Sequence, residues 1–81
     1  MAIGDYSNRA ITLRIHARAD GRFQVRNGDI ILGTSHNEML AVWTAVIAAD
    51  ELAKSGSTVR VVRTAAGRDI EEYIARGREP A

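Results

Sequence analysis

The run His36-Asn37-Glu38-Met39-Leu40-Ala41-Val42-Trp43-Thr44-Ala45-Val46-Ile47-Ala48-Ala49-Asp50-Glu51-Leu52-Ala53-Lys54 decides the fold. It is too long for a strand and free of glycine and proline, so it reads as one helix. Ser35-His36-Asn37-Glu38 has the spacing of a capping box, in which the serine hydroxyl and the glutamate satisfy each other's backbone N–H groups. Lys54 suits the negative end of a helix, and Gly56 can take the left-handed conformation that stops one. Met39, Val42, Ala45, Val46, Ala49 and Leu52-Ala53 form the expected buried stripe. Leu40, Trp43 and Ile47 form a second apolar stripe beside it, more than one contact surface requires.

Upstream, the pattern has period two. Ile11, Leu13, Ile15 and Ala17 alternate with Thr12, Arg14, His16 and Arg18, as in a half-buried strand. A second strand places Phe23 and Val25 inward and Arg22, Gln24 and Arg26 outward. A three-residue loop, Ala19-Asp20-Gly21 with Gly21 left-handed, keeps the faces matched and sets Ala17 opposite Phe23 and Ile15 opposite Val25. Asn27-Gly28 reads as the next hairpin turn. It predicts Val25 opposite Ile30, Phe23 opposite Leu32, Arg26 opposite Asp29, and Ile31 on the polar face.

Downstream, Thr58-Val59-Arg60-Val61-Val62-Arg63-Thr64 is rich in β-branched residues and reads as a fourth strand. The handedness of crossover connections sets it parallel to the first strand and beside it. Ala65-Ala66-Gly67 breaks the chain. Asp69 can cap a short last helix with Ile70, Tyr73 and Ile74 on one face and Gly77 at its end. The expected fold is therefore α+β: a three-stranded antiparallel meander, a long helix, a fourth strand parallel to the first and a short C-terminal helix, βββαβα in order. Residues 1–81 read as one domain, with 1–9 and 78–81 as loose ends.

The chain has 81 residues and no cysteine. A domain of this size buries only about 60% of its unfolded surface, and no disulfide or thiolate metal site adds to that. No apolar run reaches the ~18 residues of a membrane span, and residues 1–9 lack the pattern of a signal peptide. A cytoplasmic protein without a membrane partner is the expectation. The formal net charge is +1, and Lys54 is the only lysine.

The positive charge is gathered, however. With the register above, Arg14, His16, Arg18, Arg22 and Arg26 share the polar side of the sheet, joined by Arg60 of the fourth strand. Guanidinium groups recognise carboxylates and phosphates bidentately, and like charges opposed across strands carry a cost that an anionic partner relieves. These six residues are the candidate partner-binding site, for an acidic protein or nucleic-acid phosphate. Trp43, Phe23, Tyr6 and Tyr73 all fall elsewhere, so the face offers no aromatic platform for bases. Leu40, Trp43 and Ile47 are the candidate homodimer interface, since aromatic residues are enriched in such contacts. No nucleophile elbow, phosphate loop or metal-ligand spacing is present. The expectation is a binding module rather than an enzyme, with no cofactor and no metal.

Thr34-Ser35-His36-Asn37-Glu38-Met39-Leu40-Ala41, Ala45-Val46-Ile47-Ala48-Ala49, and Val59-Arg60-Val61 with Thr64 resemble the middle of a ribonuclease H-like domain. The resemblance implies three antiparallel strands, a helix with a catalytic glutamate in its first turn, at the place of Glu38, and a parallel strand followed by another helix. It also implies aspartates that this sequence lacks. Thr64-Ala65-Ala66 stands where Thr-Asp-Ser is expected, and Ile15-His16-Ala17-Arg18 carries no mid-strand aspartate. Two-metal hydrolysis needs several carboxylates, so the resemblance extends to a truncated, nucleic-acid-binding domain without cleavage. Gly21-Arg22-Phe23-Gln24-Val25 and the segment from Ala53-Lys54-Ser55-Gly56 to Val62-Arg63 are similar to short bacterial proteins of unknown function.

Overall fold

The computed structural model describes residues 10–77; the two expected loose ends lie outside them. The elements are β1 (Ala10–Ala17), β2 (Phe23–Asn27), β3 (Ile30–Ser35), α1 (Glu38–Lys54), β4 (Thr58–Ala65) and β5 (Arg68–Ala75). They form an α+β fold with one five-stranded sheet in the order β3-β2-β1-β4-β5. β4 pairs parallel to β1, as the crossover argument requires, and the other neighbours pair antiparallel. α1 packs on one side of the sheet, and its connection carries the chain from the β3 edge back to β4.

The first hairpin has the expected register. Ala17 faces Phe23, Ile15 faces Val25, His16 faces Gln24 and Arg14 faces Arg26. Gly21 has φ +84°, and the loop closes through Arg18 N–H donating to Arg22 C=O at 2.7 Å. Leu13, Ile15, Val25, Val59 and Val61 point to the helix side and are buried. Each such side chain contributes about 1.5–3 kcal/mol of burial.

The second hairpin differs from the expectation. Its turn is centred one residue later, on Gly28-Asp29, so Asn27 faces Ile30 and Arg26 faces Ile31 rather than Asp29. Gly28 alone takes a positive φ there (+60°), the pattern of a turn with glycine at its first central position. The pairing then shifts at a bulge, and Val25 faces Gly33 and Phe23 faces Ser35. The reason lies above the sheet. A Cβ at position 33 would sit 3.2 Å from Thr44 Cγ2, so glycine fits beneath the helix there. Ile31 does lie on the polar side, as expected.

The helix cap is Asn37, not Ser35. Asn37 Oδ1 accepts from Met39 N–H at 2.7 Å, while Ser35 is still paired in β3. At the other end Gly56 has φ +100° and its N–H donates to Ala53 C=O at 3.0 Å, and Lys54 pairs with Glu51 at 2.9 Å. The buried stripe also differs. It is Ala41, Ala45, Ala49 and Ala53, four methyl groups at i, i+4 spacing, while Met39 is 70% exposed. Small side chains let the helix approach the sheet closely, and Val42, Ala48 and Leu52 reach it from the flanks.

The expected last helix is instead the strand β5, a hairpin partner of β4. Ala66 and Gly67 both take positive φ (+51° and +74°), the requirement of a type I′ hairpin turn. A bulge between Val61 and Val62 explains the helical-looking spacing of Ile70 and Tyr73. The extra residue, Glu72, lets two positions three apart share one side, with Ile70 facing Arg63 and Tyr73 facing Val61. Tyr73 O–H donates to Asp50 of α1 at 2.7 Å, tying the strand to the helix.

After β5, Gly77 N–H donates to Thr58 Oγ1 at 3.1 Å. A Cβ at Gly77 would lie 2.2 Å from the carbonyl oxygen of Gly56, so the backbones touch. We expect Gly77→Ala to destabilise the domain by about 1–3 kcal/mol. The check is a lower urea midpoint at unchanged slope; an unaltered midpoint would show that the two segments are not in contact.

Candidate binding surfaces

Two surfaces of the domain carry more than packing requires. One is the side of the sheet away from α1. β1 and β2 place Arg14, His16, Gln24 and Arg26 there, and β4 adds Arg60, Val62 and Thr64 by the parallel register Thr12 to Arg60 and Arg14 to Val62. Four of the six expected partner-binding residues, Arg14, His16, Arg26 and Arg60, therefore share this surface. Arg18 and Arg22 do not belong to the strands. They stand at the tip of the first hairpin, where Arg18 pairs with Asp20 at 3.1 Å and Asp20 Oδ1 also accepts from Arg22 N–H.

β5 changes the charge of that surface. As a strand it sets Asp69 opposite Thr64 and Glu71 opposite Val62. Arg14 Nη1 donates to Asp69 Oδ1 and more loosely to Thr64 Oγ1, and Thr64 Oγ1 donates to Asp69 at 3.2 Å. Arg60 pairs with Glu71 at 2.8 Å. Two of the three arginines are thus neutralised within the chain, which relieves the repulsion expected between them. Val62 sits in register between Arg14 and Glu71 and is only 2% exposed. Long arginine stems commonly cover apolar neighbours in this way while their heads stay in water.

Arg26 is the exception. It is half-buried, faces Arg14 on one side and Ile31 on the other, and makes no ion pair among the described residues. Its Nε is buried and has no hydrogen-bond partner among them. Of the three arginines on this surface it is the one that no described carboxylate answers. The acidic residues that answer Arg14 and Arg60 are invisible to a reading that coils residues 69–74 into helix.

The second surface is the outer side of α1. Leu40, Trp43 and Ile47 are 57, 60 and 57% exposed, opposite the alanine stripe at 100° per residue. β5 lies in the sheet, so no element of the described chain covers them. Met39, Val42, Trp43 and Val46 line an open cavity of about 190 Å³ on the adjoining flank.

Glu38 lies in the first turn of α1, where the ribonuclease H-like resemblance places a catalytic glutamate. Its neighbour is a cation: Arg63 Nη1 is 3.7 Å away. Arg63 also pairs with Glu72 at 2.8 Å, so one guanidinium joins helix, β4 and β5. The hydrogen bond that Arg63 donates to Glu72 and the charge of Glu38 raise the Arg63 pKa above its usual value. Among the described residues no three His, Asp or Glu side chains gather, and no helix is long and apolar enough to cross a membrane.

The Asp69 carboxyl is held below the usual carboxylate range, first by the hydrogen bond from Arg14 and then by the charge of Arg14, the hydroxyl of Thr64 and the charge of Arg60. A lowered folded-state pKa stabilises the fold at pH above the unfolded value of about 3.9, and this contribution is lost as pH falls through the folded value. We expect the Asp69 carbon signal to titrate below that of an unfolded aspartate, and Arg14→Ala to return it upward. A midpoint unchanged by Arg14→Ala would break the assignment. Compared with family models, curated proteins and solved structures, the chain matches none of them.

Proposed function

We propose that this chain is a small non-catalytic, cytoplasmic binding module that acts as a homodimer. It self-associates through Leu40, Trp43 and Ile47, and it meets an acidic protein or a phosphate-bearing partner through the arginine-bearing side of the sheet. One observation carries the reading: three large apolar side chains stand exposed together on a domain of 81 residues. Monomers rarely expose contiguous apolar patches above a few hundred Å².

Arg26 is the anchor on the other surface, with Arg14 and Arg60 able to exchange Asp69 and Glu71 for an incoming anion. Because those acids compete, binding is moderate and strongly salt-dependent. Arg18 and Arg22, at the hairpin tip, extend the same cationic edge.

Sedimentation equilibrium at micromolar concentration tests the dimer. The expected mass is twice the 8.8 kDa of the chain, and Trp43→Ala should weaken association by about thirtyfold, as for a hot-spot aromatic. A monomer throughout that range would end the proposal.

A second reading is a truncated ribonuclease H-like domain that binds nucleic acid without cleaving it. It is favoured by the element order β1-β2-β3-α1-β4, the parallel pairing of β4 with β1, and Glu38 in the first helical turn. The return of β5 as a hairpin departs from the helix that the resemblance implies. Titration with an RNA–DNA hybrid tests this second reading. Affinity that falls steeply with salt and drops on Arg26→Ala supports the second, whereas no binding at low salt removes it.

A further inference from the structure

On the side of the sheet away from α1, one row of residues runs in register across all five strands: Ile31, Arg26, Arg14, Val62 and Glu71. Arg14 turns toward β5 and donates to Asp69 and Thr64, and Arg60 donates to Glu71 at 2.8 Å. Arg26 stands directly opposite Arg14. Among the described residues it makes no ion pair, and its buried Nε has no hydrogen-bond partner.

Such a group is costly to the free domain. A buried donor without a partner forfeits its hydration, and like charges directly opposed across strands repel. Native structures leave few donors in this state, and each calls for a physical reason. A guanidinium keeps its charge in any protein setting, so the cost is not shed by losing a proton. It falls when an anion arrives. Because Nε is turned into the protein, the arriving group meets the outer Nη nitrogens end-on. Two parallel charge-assisted hydrogen bonds are available there, and partial burial strengthens the attraction over its value in water.

We infer that Arg26 seats one carboxylate from an acidic segment of another protein, with an aliphatic side chain of that segment lying on Ile31. The inference rests on the proposed role of the arginine-bearing surface and names its ligand. Charge decides the class. Arg14, Arg26 and Arg60 stand there against Asp69 and Glu71, so one positive charge is left over, which matches a single carboxylate. The surface already holds this chemistry, since carboxylates answer its other two arginines. A nucleic-acid strand is held by several cations at once, and the described strands place no aromatic side chain on this surface for bases to stack on. Ile31 supplies the second feature. It lies beside Arg26 on β3 and is 50% exposed, so a peptide can bury it and a free phosphate cannot. An extended segment points residues two apart to one side at ~6.6 Å, comparable with the ~5 Å between neighbouring strands. The expected ligand pattern is therefore acid–x–aliphatic.

The probe is a blocked glycine–serine peptide carrying one Glu-Gly-Leu, titrated into the intact chain while the arginine Nε–H signals are followed by NMR. The Arg26 signal should shift saturably at millimolar peptide, and glutamine in place of the peptide's glutamate should weaken binding by at least about tenfold. Arg26→Met should abolish binding with circular dichroism unchanged, and it should raise the urea midpoint at unchanged slope, because the unpaired donor and the repulsion from Arg14 go together. Arg68→Met, the same loss of charge beside the β4–β5 turn where Arg68 faces Ala65, should leave the affinity unaltered. A lowered midpoint in Arg26→Met would make Arg26 a structural residue and overturn the inference. Inorganic phosphate binding at Arg26 more tightly than the peptide would overturn the carboxylate as ligand. An Arg26 signal moved by Asp5→Asn alone would show that the chain answers this charge itself, and the outside partner would fall. Peptide binding that survives Arg26→Met would overturn Arg26 as the seat and leave the arginine surface standing, whereas no response to peptide or phosphate removes both.

Discussion

The contact on which the rest of the domain depends is the row of methyl groups from Ala41, Ala45, Ala49 and Ala53 laid on Leu13, Ile15, Val25, Val59 and Val61. Alanine has no side-chain entropy to lose and lets a helix come close to a sheet. The closeness has two results. Beneath Thr44 the fit is tight, a Cβ at Gly33 falling 3.2 Å from the Thr44 methyl, and the bulge in β3 sets Gly33 there. The large apolar residues of the helix cannot lie under it, so Leu40, Trp43 and Ile47 are turned to its outer side. The core and the exposed stripe are two results of one packing choice.

The opposite side of the sheet follows a different logic. No second layer of the described chain covers it, and the strands there are finished with long polar side chains. Arg14 and Arg60 are answered by Asp69 and Glu71 on β5. Exposed pairs of this kind contribute little to stability singly. Their value is in neutralising a surface that would otherwise carry opposed like charges, and Arg26 is left as its distinct cation. Ion pairing also joins the layers on the helix side, where Arg63 holds Glu38 of the first helical turn and Glu72 of the last strand.

Where sequence and structure part, the cause is a bulge or a turn. In β5 the bulge at Glu72 converts a period of two into a spacing of three, which imitates a helix for Ile70 and Tyr73. The turn that precedes it uses Ala66 at φ +51°, a conformation that alanine seldom adopts, so no local signal marks the hairpin. In β3 the turn moved by one residue and a bulge shifted the register further beyond it, setting Val25 opposite Gly33. Asn37 replaced Ser35 as the cap because pairing with Phe23 kept Ser35 in the strand. The position of Asp69 and Glu71 on the arginine surface could not be read without that hairpin.

Local patterning alone determined the first hairpin, the span of α1, and β4 as a strand parallel to β1 beside it. Alternation, capping residues, β-branching and crossover handedness act over a few residues or through general chain geometry, and all are legible in order along the chain. Tertiary structure alone decided which stripe of α1 is buried, how β3 and β5 are registered, and which acids meet which arginines. Those outcomes depend on how near the helix comes to the sheet and on one-residue shifts in pairing, and both are set by contacts between segments distant in sequence.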